Sequence, residues 1–103
     1  MRSVYEALAH PVRRKIIQLL SKGPLSAGEI ASHFDYAQPT ITGHLNVLKE
    51  AGLVYSVRDK NNIIYYLNTS IIEHLVVEIL DLVGRSSLGK EDTDEREQRK
   101  NSL

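Results

Sequence analysis

Between residues 4 and 83 the apolar positions recur mostly at helical spacing. Val4, Tyr5 and Leu8 share one face of a short helix over about Arg2 to Ala9. His10-Pro11 ends it and opens the next, because proline fits a first helical turn, where its missing N–H is not needed. Ile16, Ile17, Leu19 and Leu20 give this second helix a buried stripe, which Lys22-Gly23-Pro24 terminates. Ser26-Ala27-Gly28-Glu29 has the spacing of a capping box and predicts a third helix with Ile30, Ala31 and Phe34 inward. After an Asp35-Tyr36-Ala37 turn, Gln38-Pro39 opens a fourth, with proline at its first position. Its Ile41, Leu45, Leu48 and Ala51 form one apolar face, and Gly52 closes it.

The pattern then changes. Leu53–Arg58 and Ile63–Leu67 are rich in β-branched residues and tyrosine, and they flank Asp59-Lys60-Asn61-Asn62, whose asparagines tolerate positive φ. That reads as a β-hairpin. Thr69 or Ser70 caps a last helix running to about Val83. The expected fold is mainly α with a two-stranded β-hairpin, in the order helix, helix, helix, helix, strand, strand, helix. Two short helices joined by a three-residue turn, with a hairpin directly behind, outline a winged helix-turn-helix, a topology associated with DNA binding.

Composition narrows the classes without changing this outline. The chain has 103 residues, 42% of them hydrophobic and 25% charged, as in ordinary globular proteins. It divides into one domain, residues 1–83, and a charged tail, residues 84–103, with little to bury and expected to be flexible. With no cysteine there is neither a disulfide framework nor a thiolate nucleophile or metal ligand. The stretch from Ile71 to Val83 is too short, and too interrupted by Glu73, His74, Glu78 and Asp81, to span a bilayer. No apolar signal region follows Met1, so a cytoplasmic protein without membrane insertion is expected. The four histidines fall one per segment, and there is no phosphate-cradling glycine motif or nucleophile elbow, so an enzyme is not expected.

The fourth helix presents Gln38, Thr40, Thr42, Gly43, His44, Asn46 and Lys49 away from its apolar face. Small polar side chains near a helix N-terminus suit a major groove: Gln38 can pair with adenine, and the Thr40 and Thr42 methyls can touch thymine. Any exposed helix face is polar, however, and the helix alone leaves both readings open. At the hairpin tip, Arg58, Lys60 and Asn61 can reach phosphate or the adjacent minor groove, although charged tips also serve solubility. Arg13, Arg14 and Lys15 are read mainly as structural or solvent-facing, with one of them at most touching phosphate. Lys and Arg (13) balance Asp and Glu (13), unusual for a DNA binder. A dimer can still gather positive charge on one face.

The runs Leu8-Ala9-His10-Pro11-Val12-Arg13-Arg14-Lys15-Ile16-Ile17-Gln18-Leu19-Leu20 and Gln38-Pro39-Thr40-Ile41-Thr42-Gly43-His44-Leu45-Asn46-Val47-Leu48-Lys49-Glu50-Ala51-Gly52-Leu53-Val54, with Tyr65-Tyr66, resemble the ArsR/SmtB family of bacterial winged-helix repressors. The resemblance covers about residues 4–83 and is nearest to the cysteine-free autorepressor branch. It implies a homodimer that binds an imperfect inverted repeat of double-stranded operator DNA. By the same analogy Gln38, Thr40, Thr42 and His44 lie in the groove, and Arg58 and Lys60 serve the wing. Two departures stand out: Gly43 replaces a larger polar residue, and His10 stands where an aspartate usually caps the second helix.

Many relatives of this kind sense metals. Here the third helix has no thiolates, only His33, and the last helix offers a single histidine, His74, with Glu78 one turn on. A metal-independent protein without cofactor is therefore expected, with a last-helix His/carboxylate metal sensor as the alternative. The last helix has a wider apolar surface than one small core needs. Ile72, Leu75, Val76, Ile79, Leu82 and Val83, with Val4, Tyr5 and Leu8, are the expected dimer seam. A winged-helix protein-interaction module is the other alternative, kept open by the neutral charge and Gly43. The releasing signal, an inducer ligand or an anti-repressor protein, is not written in the sequence.

Overall fold

The computed structural model describes residues 3–84. Five helices and three short strands follow one another: α1 (Val4–Leu8), α2 (Pro11–Leu20), β1 (Leu25–Ser26), α3 (Ala27–Ala31), α4 (Gln38–Glu50), β2 (Val54–Asp59), β3 (Asn62–Leu67) and α5 (Thr69–Val83). The chain divides into two compact units, residues 1–71 and 72–103. Apart from Gly84, the charged tail expected over residues 84–103 lies outside the described residues.

Each helix of the first unit starts and stops for a local reason. Ser3 caps α1, its hydroxyl accepting from the amides of Tyr5 and Glu6. At α2 the cap is His10, whose Nδ1 accepts from the Val12 amide at 3.1 Å, so this imidazole does the work of the expected carboxylate. The capping box of α3 is complete: Ser26 Oγ accepts from the Glu29 amide at 3.1 Å, and Glu29 Oε1 accepts from the Ser26 amide at 2.8 Å. This helix is shorter than the sequence pattern predicts. It ends at Ala31 because His33 and Phe34 donate to carbonyls three residues back, Ile30 and Ala31. The Ser32 hydroxyl takes the Glu29 carbonyl as well. The connection to α4 is therefore residues 32–37, not three residues. Ala37 precedes α4 without a side-chain cap, and Pro39 falls on its second residue.

The helical stripes meet in one apolar core. Ile16 from α2, Ile30 from α3, Ile41, Leu45 and Leu48 from α4, and Leu53 behind it are fully buried. Burying each such side chain contributes about 1.5–3 kcal/mol. Ala7 is the buried residue of α1, while Tyr5 stays half-exposed and Val4 and Leu8 are intermediate. Val54 and Tyr65 close the core from the sheet, and burial raises the Tyr65 phenol above its usual pKa.

The expected hairpin is present and gains a third strand. β2 and β3 pair antiparallel from Val54↔Leu67 to Asp59↔Asn62, and β1 pairs on the other side of β3, Leu25 against Tyr65 and Ser26 against Ile64. Two residues carry no alternating pattern, so β1 leaves no trace in the sequence. Ser26 thus ends β1 and caps α3 at once. The hairpin loop is Lys60-Asn61, and Lys60, not an asparagine, takes the left-handed backbone (φ 59°). At the end of β3, Asn68 ties back to the close of α4: its amide donates to Leu53 and its Nδ2 to Gly52. α5 already begins at Thr69, so Thr69 and Ser70 lie in its first turn.

The described residues of the second unit, 72–84, carry α5 from its fourth residue onward. Leu75 is buried, whereas Val76, Val77, Ile79, Leu82 and Val83 are 44–77% exposed.

Candidate nucleic-acid interface

Helix α4 turns its buried face to the core through Ile41, Leu45 and Leu48, which leaves Gln38, Thr40, Gly43, Asn46 and Lys49 exposed and Thr42 half-buried. Its first turn has no side-chain cap. Pro39 brings no amide to this turn, and the Thr40 and Ile41 amides donate to the Ala37 carbonyl at 3.0 and 3.3 Å. Gly43 sits in the outward face, and a Cβ built there meets nothing within 4 Å. The glycine is not required by the protein's own packing; it leaves backbone uncovered where a side chain would stand.

The wing flanks this face. Arg58 and Lys60 are exposed. Asn61 and Asn62 at the tip, Gln38 at the start of α4, and Ser26, Ala27 and Gly28 at the start of α3 line one cleft of about 180 Å³. Two residues selected from separate parts of the sequence, Gln38 and Asn61, are brought together there.

His44 departs from the expected pattern. It is half-buried, and its ring lies against His10 with centroids 4.5 Å apart and planes tilted by 46°. Arg13 Nη1 approaches His44 Nδ1 at 3.2 Å; since guanidinium only donates, Nδ1 is the acceptor. Burial first, then the charges of His10 and Arg13, hold the His44 pKa below its ordinary value of 6.5. Arg13 also donates through Nε to the Ala7 carbonyl at 2.6 Å and through Nη2 to the Glu6 carbonyl at 3.3 Å. Arg14 donates to the Leu8 carbonyl at 2.8 Å, and the Lys15 ammonium lies 5.6 Å over the Phe34 ring. The basic run is thus held by the protein itself, two of its members closing the carbonyl end of α1. Nothing in the sequence marks the Arg13–His44 contact, which joins residues 31 apart. The only cue is the unusual His10.

His33 is on the turn after α3, and Glu73, His74, Glu78 and Asp81 are on α5. Among the described residues no group of three or more such ligands gathers. Among the same residues, no helix is long and apolar enough to cross a membrane.

A recognition-type helix flanked by a wing defines a winged helix-turn-helix, the class the sequence pattern predicts. Residues 10–56 match the family described as "Bacterial regulatory protein, arsR family". The chain is 38% identical over 85 residues to the transcriptional repressor SdpR of Bacillus subtilis (strain 168), covering 82% of this chain and 94% of the relative. It is 31% identical over 87 residues to an arsenical resistance operon repressor of Staphylococcus xylosus, covering 84% and 83%. Among solved structures, a possible transcriptional regulator for arsenical resistance superposes with a TM-score of 0.70 at 32% identity, covering 86% of this chain and 92% of the other. The chain belongs to the ArsR family of bacterial regulatory proteins, DNA-binding transcription regulators and not enzymes.

Proposed function

We propose that this protein is a metal-independent autorepressor that binds, as a homodimer in the cytoplasm, an imperfect inverted repeat upstream of its own gene. The observation that carries the reading is the junction of Gln38 and the wing tip around one cleft, beside an exposed helix face made of Thr40, Gly43 and Asn46. Such a face offers donors and acceptors to base edges, and Arg58 and Lys60 supply phosphate contacts. His44, engaged with His10 and Arg13, serves the seat of the helix and not the groove. The name of the repressor SdpR supports the repressor role.

Metal independence rests on ligand chemistry. Without cysteine the chain has no thiolate for a soft metal ion, and one histidine on α5 is a thin set. The dimer reading rests on the row Val76, Ile79, Leu82 and Val83, exposed on α5, together with exposed Tyr5 on α1. Leu75, buried within the single chain, is assigned to the subunit and not to the seam. Two copies would set their α4 helices about 34 Å apart, one turn of DNA.

Fluorescence anisotropy on the duplex upstream of its own gene, against a scrambled duplex, tests the reading across a salt series with zinc or chelator. Tight native-site binding that weakens steeply with salt and ignores zinc is expected. Equal weak binding to both duplexes would transfer the polar α4 face to a protein partner, and a zinc-dependent shift would restore a metal site on α5.

A further inference from the structure

We propose that His10 and Arg13 are positioning residues for DNA reading: with His44 they form a strut between the α1–α2 corner and recognition helix α4, which holds only while both imidazoles are neutral. The proposal rests on the DNA-binding reading above and adds the residues that fix α4 in place.

Both imidazoles are used as acceptors at Nδ1. His10 takes the Val12 amide there, and His44 takes Arg13 Nη1. A proton on either Nδ1 removes an acceptor and leaves N–H facing N–H. It also adds a positive charge to a group that already contains the Arg13 guanidinium, and the two rings are only 4.5 Å apart. Arg13 cannot retreat, because Nε and Nη2 are committed to the carbonyls of Ala7 and Glu6. The strut therefore couples three elements through one planar side chain, which the point charge of a lysine would not span.

Among the other charged groups on these elements, α4 itself carries Lys49 and Glu50 at its far end. α1 carries Glu6, beside the carbonyls that Arg13 holds. On α2, Arg14 is turned to the Leu8 carbonyl and Lys15 to the Phe34 ring. α3 and the turn behind it carry Glu29, His33 and Asp35, and the far end of β2 carries Arg58 and Asp59.

The sign follows from the lowered His44 pKa. The unfolded or loosened chain binds the proton more readily than the seated one. The contribution of the strut is thus complete above about pH 6.5 and is lost as the pH falls from there through the lower folded value. One proton taken up on loosening changes the equilibrium by at most about tenfold per pH unit.

The test compares the wild-type protein with the variant His10→Asp/His44→Gln. Aspartate is a good helix cap that stays charged in this range, and glutamine offers Arg13 an amide oxygen that does not titrate. Thermal melts and anisotropy on the upstream duplex are run from pH 8 to pH 5.5 at fixed salt. The wild type should lose stability and several-fold in affinity on acidification, while the variant stays within about twofold of its pH 8 affinity, and Arg13→Lys should bind more weakly at every pH. Parallel melting profiles for wild type and double variant would overturn the strut. Affinity that rises on acidification in the wild type alone would overturn it too, since the histidines would then face phosphate. Melts that separate while no duplex binds at pH 8 would overturn the DNA reading and with it the positioning role, leaving only a structural clamp.

Discussion

Tyr55 on β2 and Tyr66 on β3 stack face to face across the wing, their ring centroids 5.2 Å apart and their planes within 7° of parallel. They are opposite each other in the register of the pair, on the sheet face turned away from Val54 and Tyr65, and Tyr55 remains half-exposed. The pair stiffens the hairpin from outside, where the core gives no help. Truncating both rings to alanine in a double-mutant cycle, read by urea unfolding, should reveal a coupling of about 0.5–1 kcal/mol. Additive losses would mean that the stack contributes nothing beyond each ring's own burial.

Gly43→Ala separates the needs of the fold from those of the ligand. The added methyl enters open space within a helix, so stability should rise by about 0.5–1 kcal/mol in denaturant titrations. If α4 lies in the groove as proposed, operator affinity should fall in the same protein, because the methyl would stand between DNA and backbone. A variant that is both more stable and equally tight in binding would show that DNA keeps its distance from residue 43.

At the wing tip, Lys60 occupies a left-handed conformation that glycine adopts without cost. Lys60→Gly should therefore leave stability unchanged within about 1 kcal/mol, as relief of backbone strain offsets the added freedom of the unfolded chain. If Lys60 meets a phosphate, the slope of log K against log salt should flatten by about 0.9 for each subunit. An unaltered slope would assign the lysine to solubility.

On α5, Ile79 is 44% exposed, so Ile79→Glu is tolerable in a single subunit. Sedimentation equilibrium should show the variant as a monomer while its circular dichroism stays that of the wild type. Operator affinity should drop by orders of magnitude, since two linked half-sites become one. A dimeric variant with intact binding would place the subunit contact elsewhere.

The parts of the molecule legible in the sequence are those where many residues repeat one instruction. Ile41, Leu45 and Leu48 state the face of α4 three times, and Ser26 and Glu29 state the start of α3 twice. What escaped is carried by single residues acting at a distance. Two-residue β1 has no period, and its pairing is decided by β3, almost forty positions on. The left-handed turn residue is fixed by strand register, which put Lys60 and not Asn61 at the strained position. Arg13 reads as one member of a basic run, although its guanidinium is committed to two carbonyls and an imidazole. Gln38 and Asn61, selected by residue chemistry, share one cleft, whereas the packing of His44 against His10 and Arg13 was not legible. Its neighbour His10 is contributed by a different helix.

Ser26 pairs with Ile64 of the wing and in the same residue caps α3. The sheet and the first turn of α3 therefore share one residue, with no linker between them. A tilt of β3 is handed directly to the first turn of α3. One extra residue at the Lys60-Asn61 tip would only lengthen the wing, whereas one between Ser26 and Ala27 would throw the strand pairing and the cap out of step together. The wing and the start of α3 are thus two arms of one calliper, set at a single serine.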